Sequence, residues 1–242
     1  MGSIKRVGVV SSILMFLIPG FLFWAHLNWT VPVISNLLQY SVYASWVVVG
    51  TFFLFLPLFL FTLYLLKRDN YRLDLSSILK RLRIKKMTRS DWLWTGLSLM
   101  TAIVIAGAIV ILLLVSPLNI DATALKEISP IETSRLVGTE QYFFLLLPVF
   151  FFFNYVGEEM LWRGYILPRQ EVSFGKFAWI FNGALHALFH LPFGLLIHII
   201  SIPIYLVMPF VVYKTKNTTT AIIIHAVLGA PMQILVAIGI IS

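Results

Sequence analysis

Residues 142–165 read YFFLLLPVFFFFNYVGEEMLWRGY. From Tyr142 to Val156 no residue carries a charge; Glu158, Glu159 and Arg163 then arrive within two helical turns. A carboxylate in an apolar span costs about 2.5–3.5 kcal/mol even on lenient insertion scales. Two adjacent ones persist only where partners or a function compensate. On a helix Glu159 and Arg163 are i and i+4, share a face and can pair. Glu158 points about 100° away. Its own helix supplies no comparable charged partner, so it can serve as a proton acceptor.

The rest of the chain supports a membrane setting. Of its 242 residues 60% are hydrophobic and 12% charged, and the mean hydropathy is +0.93. A soluble globule of this composition could not cover its surface with polar groups. A soluble enzyme, a secreted domain and a disordered tail are therefore excluded. Apolar runs occupy Val7–Leu27, Ser41–Leu66, Trp92–Ser116, Tyr142 to about Tyr165, Phe177–Leu191, Leu195–Tyr213 and Thr219–Ile241. Their lengths suit helices and not barrel strands. The expected fold is all-α, a polytopic bundle of about seven spans. Residues 1–139 supply N-terminal transmembrane helices with a basic loop at 67–91, and 140–242 form the part that carries the chemistry.

The net charge of +8 need not mean nucleic acid, because in a membrane protein the placement of the bases matters more than their sum. With the N-terminus cytoplasmic, only Lys126 and Arg135 among all lysines and arginines fall on the outer side. That bias predicts a cytoplasmic N-terminus. Leu75–Ile84 places apolar residues on one face and bases on the other, as in a stretch lying along an anionic membrane surface. Cysteine is absent, which excludes disulfides, thiolate zinc sites and a cysteine nucleophile.

The histidines extend the polar site. His186 and His190 are i and i+4 on one face, a spacing that lines a cleft or chelates a metal. His225 stands alone in an apolar run. His26 lies at the outer end of the first run, and His198 reads as a packing residue. Counting helical rise from the basic ends lets Glu158, His190 and His225 meet at one depth. A water held between Glu158 and a histidine would be a hydrolytic nucleophile.

These motifs resemble those of the CPBP intramembrane proteases (CAAX protease and bacteriocin-processing, or Abi), including the type II CAAX prenyl endopeptidases. Glu158-Glu159-Met-Leu-Trp-Arg163 matches EExxxR; His186-Ala-Leu-Phe-His190-Leu-Pro resembles FxxxH followed by Leu-Pro; His225-Ala-Val-Leu-Gly229 aligns with HxxxN or HxxxD. The likeness covers roughly residues 140–235, with two departures. His186 stands where the family has Phe, and Gly229 where it has Asn or Asp.

The resemblance implies an endopeptidase acting on a membrane-associated or exported peptide. Glu158 would activate water, and Glu159 and Arg163 would form a positioning pair. His190 would orient the water, His225 would stabilise the oxyanion, and His186 would be accessory. It implies either zinc or another divalent metal on Glu158, His190 and His225, or a glutamate mechanism without metal. The absence of cysteine and the compact length point to a bacterial cell membrane. Gly229 leaves open a non-proteolytic member, acting in bacteriocin self-immunity or as an adaptor; in a weakened enzyme, an Asn at 229 would instead restore activity. A proton-coupled transporter would also use intramembrane acids and histidines.

Overall fold

A computed structural model describes residues 4–115 and 134–240. Most of the polar loop expected over Pro117–Gln141, with Asp121, Lys126, Glu127 and Glu132, lies outside the described residues. Among the described residues every regular element is helical. They are α1 (Val9–Leu38), α2 (Val42–Arg68), α3 (Leu75–Arg81), α4 (Arg89–Leu114), a 3-10 segment Gly138–Leu145, α5 (147–174), α6 (Ala178–His190), α7 (Leu195–Thr215) and α8 (Thr219–Ala237).

Local chemistry sets several boundaries. Ser41 caps α2 by accepting from the Ala44 amide, and Thr88 with Asp91 forms a reciprocal capping box at the start of α4. Three wide π turns, His26–Thr30, Gly50–Phe55 and Met160–Ile166, each precede an interior proline, Pro32, Pro57 and Pro168. Proline lacks an N–H and its ring crowds the carbonyl four residues back. In each case that carbonyl, from Asn28, Phe53 or Gly164, falls inside the widened turn. The chain stays helical where an ideal α-helix would kink or break.

Five helices are long and apolar enough to cross a membrane, or six if the pair Gly138–Leu145 and 147–193, bent by 47°, makes one span. The expected count of about seven differs in the 147–193 stretch, where the helical run continues through Gly175 but reverses direction. Gly175 has φ +56°, a left-handed conformation that glycine adopts without a Cβ penalty. Beyond it, the Asn182 side-chain amide donates to Gln170 Oε1 at 2.8 Å and to the Trp162 carbonyl at 3.1 Å. In an unbroken helix residues 162 and 182 would lie about 30 Å apart. Thus α6 packs back along α5 as a short antiparallel partner, about 20 Å long at 1.5 Å per residue.

Polar ties mark two ends. At one, Ser173 bonds the Val7 backbone, Asp69 binds Arg169 and the Tyr165 hydroxyl, and Glu171 takes Arg83 and Lys216. At the other, Glu140 accepts from the Ser41 amide and hydroxyl, and the Leu136 amide donates to the Ala237 carbonyl. Val7 and Ala237 therefore sit at opposite ends. The reading of 75–84 as surface-lying fits exposed Leu75 but fails from Leu82 onward. Leu82 is fully buried, its carbonyl accepts from the Thr218 hydroxyl at 2.6 Å, and Arg83 grips Glu171 bidentately.

One hydrophobic cluster joins residues from both halves of the chain. Phe16 of α1 stacks on Trp162 of α5 at 4.3 Å, and Phe23 meets Trp46, Phe189 and Phe193. These rings hold α1 against the α5–α6 pair.

Two measurements check this architecture. A cysteine placed at Lys86 should react with an impermeant maleimide only after cells are permeabilised, while one at Val137 should react on intact cells; the reverse pattern would invert the orientation. The second concerns Asp69. Burial pushes its carboxyl up, but the Tyr165 hydroxyl, Arg169 and Lys5 outweigh this and hold it below the usual carboxylate range. A group depressed in the folded state contributes stability that is full above its unfolded value and lost as pH falls through the folded one. The melting temperature in detergent should therefore drop on acidification below about pH 4, and Asp69→Asn should melt lower at neutral pH with a weaker acid limb.

Candidate active site

Arg169 anchors the basic end of α5, and Glu158 lies roughly 17 Å further in along the axis at 1.5 Å per residue. The pair Glu158–Glu159 sits between two π turns, Phe152–Gly157 and Met160–Ile166. Such turns occur disproportionately at functional sites. Both carboxylates and Arg163 are fully buried.

The expected i, i+4 pair is present, with Arg163 Nη1 donating to Glu159 Oε1 at 3.0 Å. The other arm of the guanidinium, Nη2, donates to His186 Nδ1 at 2.9 Å. Among the described residues Glu158 has no charged partner in its own helix, but it does have a neutral donor there. The Trp162 indole N–H, one turn on, donates to its Oε2 at 3.1 Å. His186 Nε2 lies 3.5 Å from the same oxygen. His225 Nδ1 lies 3.1 Å from Glu159 Oε1 and pairs with the second glutamate, while the residue lines the same cavity as Glu158 and His190, as the sequence led one to expect. His190 Nδ1 donates to the His186 carbonyl at 3.2 Å, leaving Nε2 as an acceptor in the neutral ring.

The result is one connected chain of groups from α5, α6 and α8: His225, Glu159, Arg163, His186, Glu158, Trp162. It borders a cavity of about 270 Å³ whose wall includes Glu158, His186, His190, His225, Tyr155 and Gly229. His26 is elsewhere, bonded to Thr30. His198 is also outside the cavity wall, with its ring 5.5 Å from that of Tyr205.

Residues 140–230, which hold all of these groups, match the family model for type II CAAX prenyl endopeptidase Rce1-like proteins. The match covers well under half of the chain and supports a CAAX/CPBP-type intramembrane protease. No curated protein and no solved structure matches the chain. The family likeness suggests a reaction class and raises the question of metal.

The geometry does not assemble the metal set Glu158, His190 and His225. It groups Glu158, His186 and His190, whose ligand atoms all lie within 4.8 Å of one another, because His225 is held by Glu159. The donor chemistry of this group does not fit a divalent cation. A guanidinium has only N–H donors, so His186 Nδ1 must accept from Arg163. The neutral ring then carries its proton on Nε2, the atom facing Glu158, and offers no lone pair to a metal there. Two donors remain, fewer than the three protein ligands of a catalytic zinc site.

Three residues at the site escaped the sequence reading: Trp162, bonded to Glu158, and Tyr155 and Tyr205 on the cavity wall. Trp162 and Tyr155 lie four and three residues from Glu158, spacings that bring side chains together on one helix face. Tyr205 packs its ring 5.4 Å from His186 and 5.3 Å from His190. Only the helical spacing of the first two could have flagged them.

Arg163 compensates Glu159 and orients His186. Arg163→Met should therefore destabilise the protein by about 3–5 kcal/mol, the cost of leaving one partner of a buried pair alone. Adding Glu159→Gln should recover much of the loss. Denaturant melts in micelles measure both, and a single variant as stable as wild type would remove the pair from the framework.

Proposed function

We propose that the protein is an intramembrane endopeptidase in which Glu158 activates water without a metal. The observation that carries this reading is the buried Glu158 carboxylate on the wall of a cavity shared with His186, His190 and His225. The family match supplies the reaction class.

In the proposed step, water attacks the carbonyl carbon of a peptide bond lying in the cavity. One water proton passes to Glu158, a C–O bond forms, and the carbonyl oxygen becomes an oxyanion. On collapse the C–N bond breaks and Glu158 returns the proton to the departing nitrogen, so acid and base roles fall on one carboxyl. The Trp162 N–H holds one oxygen of Glu158 and leaves the other for water. His190 Nε2 accepts a hydrogen bond from the second water O–H, which stays on the attacking oxygen. His225, fixed by Glu159 through Nδ1, presents its other nitrogen to the cavity and donates to the oxyanion when doubly protonated. Glu159 and Arg163 position His225 and His186 and transfer no proton.

The substrate in this reading is a membrane-associated or exported peptide, entering a bundle in a bacterial cell membrane with its N-terminus inside. The matched family is named for prenyl endopeptidases, which makes a prenylated C-terminal peptide one reasonable probe. A second reading, a non-proteolytic immunity or adaptor protein, is favoured by the bare Gly229.

The test uses purified protein in nanodiscs with two quenched fluorescent peptides, one farnesylated near its C-terminus and one with an unmodified apolar tail. Wild type should cleave at least one. Glu158→Gln should lose about 10²–10⁴-fold in rate, the range of general-base catalysis, and a chelator should change nothing. Glu158→Gln cleaving as well as wild type would overturn the assignment of the base, and inhibition by a chelator would overturn the metal-free mechanism. Cleavage of neither probe by wild type would favour the immunity or adaptor reading.

A further inference from the structure

Three tyrosines stand near the catalytic cavity. Tyr43 donates to the Gln233 carbonyl at 2.8 Å, and Tyr205 packs its ring beside His186 and His190. Tyr155 lies on the cavity wall, is 4% exposed, and makes no hydrogen bond among the described residues. The side chain is buried but its hydroxyl keeps access to the cavity, free to meet a group that enters it. Its ring packs edge-on against His225, with centroids 4.9 Å apart, and the π turn Phe152–Gly157 carries it one turn before Glu158.

The hydroxyl lies in space that a side chain at residue 229 would claim. A Cβ added to Gly229 would fall 2.7 Å from Tyr155 Cε1 and 2.9 Å from its hydroxyl oxygen. Real Cβ atoms do not approach so closely, so any residue larger than glycine at 229 forces the Tyr155 ring to move from this seat. Gly229 thus leaves the room into which Tyr155 fits, on the same face of α8 as His225, one turn on.

We propose that Tyr155 is a further catalytic residue, whose hydroxyl, seated over Gly229, donates a hydrogen bond to the substrate carbonyl oxygen as it becomes an oxyanion. This rests on the protease reading of the site. The hydroxyl keeps its proton throughout. The water proton still travels through Glu158, and Tyr155 with His225 forms a two-donor pocket for the oxygen. An asparagine at 229 would then lower activity in the wild-type background by displacing the tyrosine, the opposite of what the motif alone suggests.

The experiment compares wild type, Tyr155→Phe, Gly229→Ala and the double variant in nanodiscs, with whichever fluorescent peptide wild type cleaves. Removing one oxyanion donor costs roughly 10²–10³-fold in kcat, so Tyr155→Phe should lose that much with KM unchanged. Its melting temperature should equal that of wild type, since the hydroxyl holds no protein group. Gly229→Ala should lose activity by moving the ring, and the double variant should be no worse than Tyr155→Phe, a non-additivity expected of groups in contact. A peptide aldehyde, whose hydrate mimics the tetrahedral state, should bind Tyr155→Phe at least tenfold more weakly, while the uncleaved peptide binds equally. Full activity of Tyr155→Phe, or a lower melting temperature with unchanged kcat, would overturn the proposal and leave Glu158 as base. Loss of cleavage by Glu158→Gln alongside an active Tyr155→Phe separates the two cases. Failure of wild type to cleave either peptide would overturn both.

Discussion

Two carboxylates side by side in an apolar bundle must be neutralised or hydrogen-bonded, and much of the structure is shaped by how this is done. Arg163 sits one turn from Glu159 and closes the first ion pair within α5. Its second arm reaches His186 on α6, which requires α6 to lie antiparallel and close. Gly183 permits that approach toward α7: a Cβ there would fall 2.7 Å from the Tyr205 carbonyl. The α5–α6 reversal, the tight α6–α7 contact and the His225–Glu159 pair across to α8 all serve the same buried acids. Such a network is stable only when complete, because a partner left alone in low dielectric costs several kcal/mol.

Depth is set elsewhere. The ties among Asp69, Arg169 and Tyr165, and among Arg83, Glu171 and Lys216, pin the basic ends of α2, α5, α7 and the 82–85 connection at one level. Arg81 is buried there with no side-chain hydrogen bond among the described residues, its guanidinium over the rings of Tyr71 and Tyr165. With those ends level, residues a fixed number of turns inward arrive at a common plane. Glu158, His186 and His225 meet because the helices share an origin, and no direct attraction need bring them together.

The same arginine also decides the chemistry. By donating to His186 Nδ1 it fixes the neutral tautomer and turns the opposite N–H toward Glu158. A histidine that looks like a ligand by spacing becomes a donor by protonation state. In the metal-free mechanism proposed above, that single hydrogen bond is what sets His186 apart from a metal ligand.

Within one helix the amino-acid order determines geometry, because 3.6 residues per turn fixes which side chains share a face. The Glu159–Arg163 pair and the His186–His190 pair were legible for that reason, and the membrane setting was legible from the length and apolarity of the runs. The reversal at Gly175 was not, since the helical run continues through it and only a positive φ and the Asn182 contacts reveal the turn. Nor was the pairing of His225 with Glu159, the approach of Trp162 to Glu158, or the seating of Tyr155 over Gly229. Those depend on the rotation of each helix about its axis and on the distance between neighbours. Interdigitation of side chains across helices sets both, and periodicity along a single helix carries no record of it.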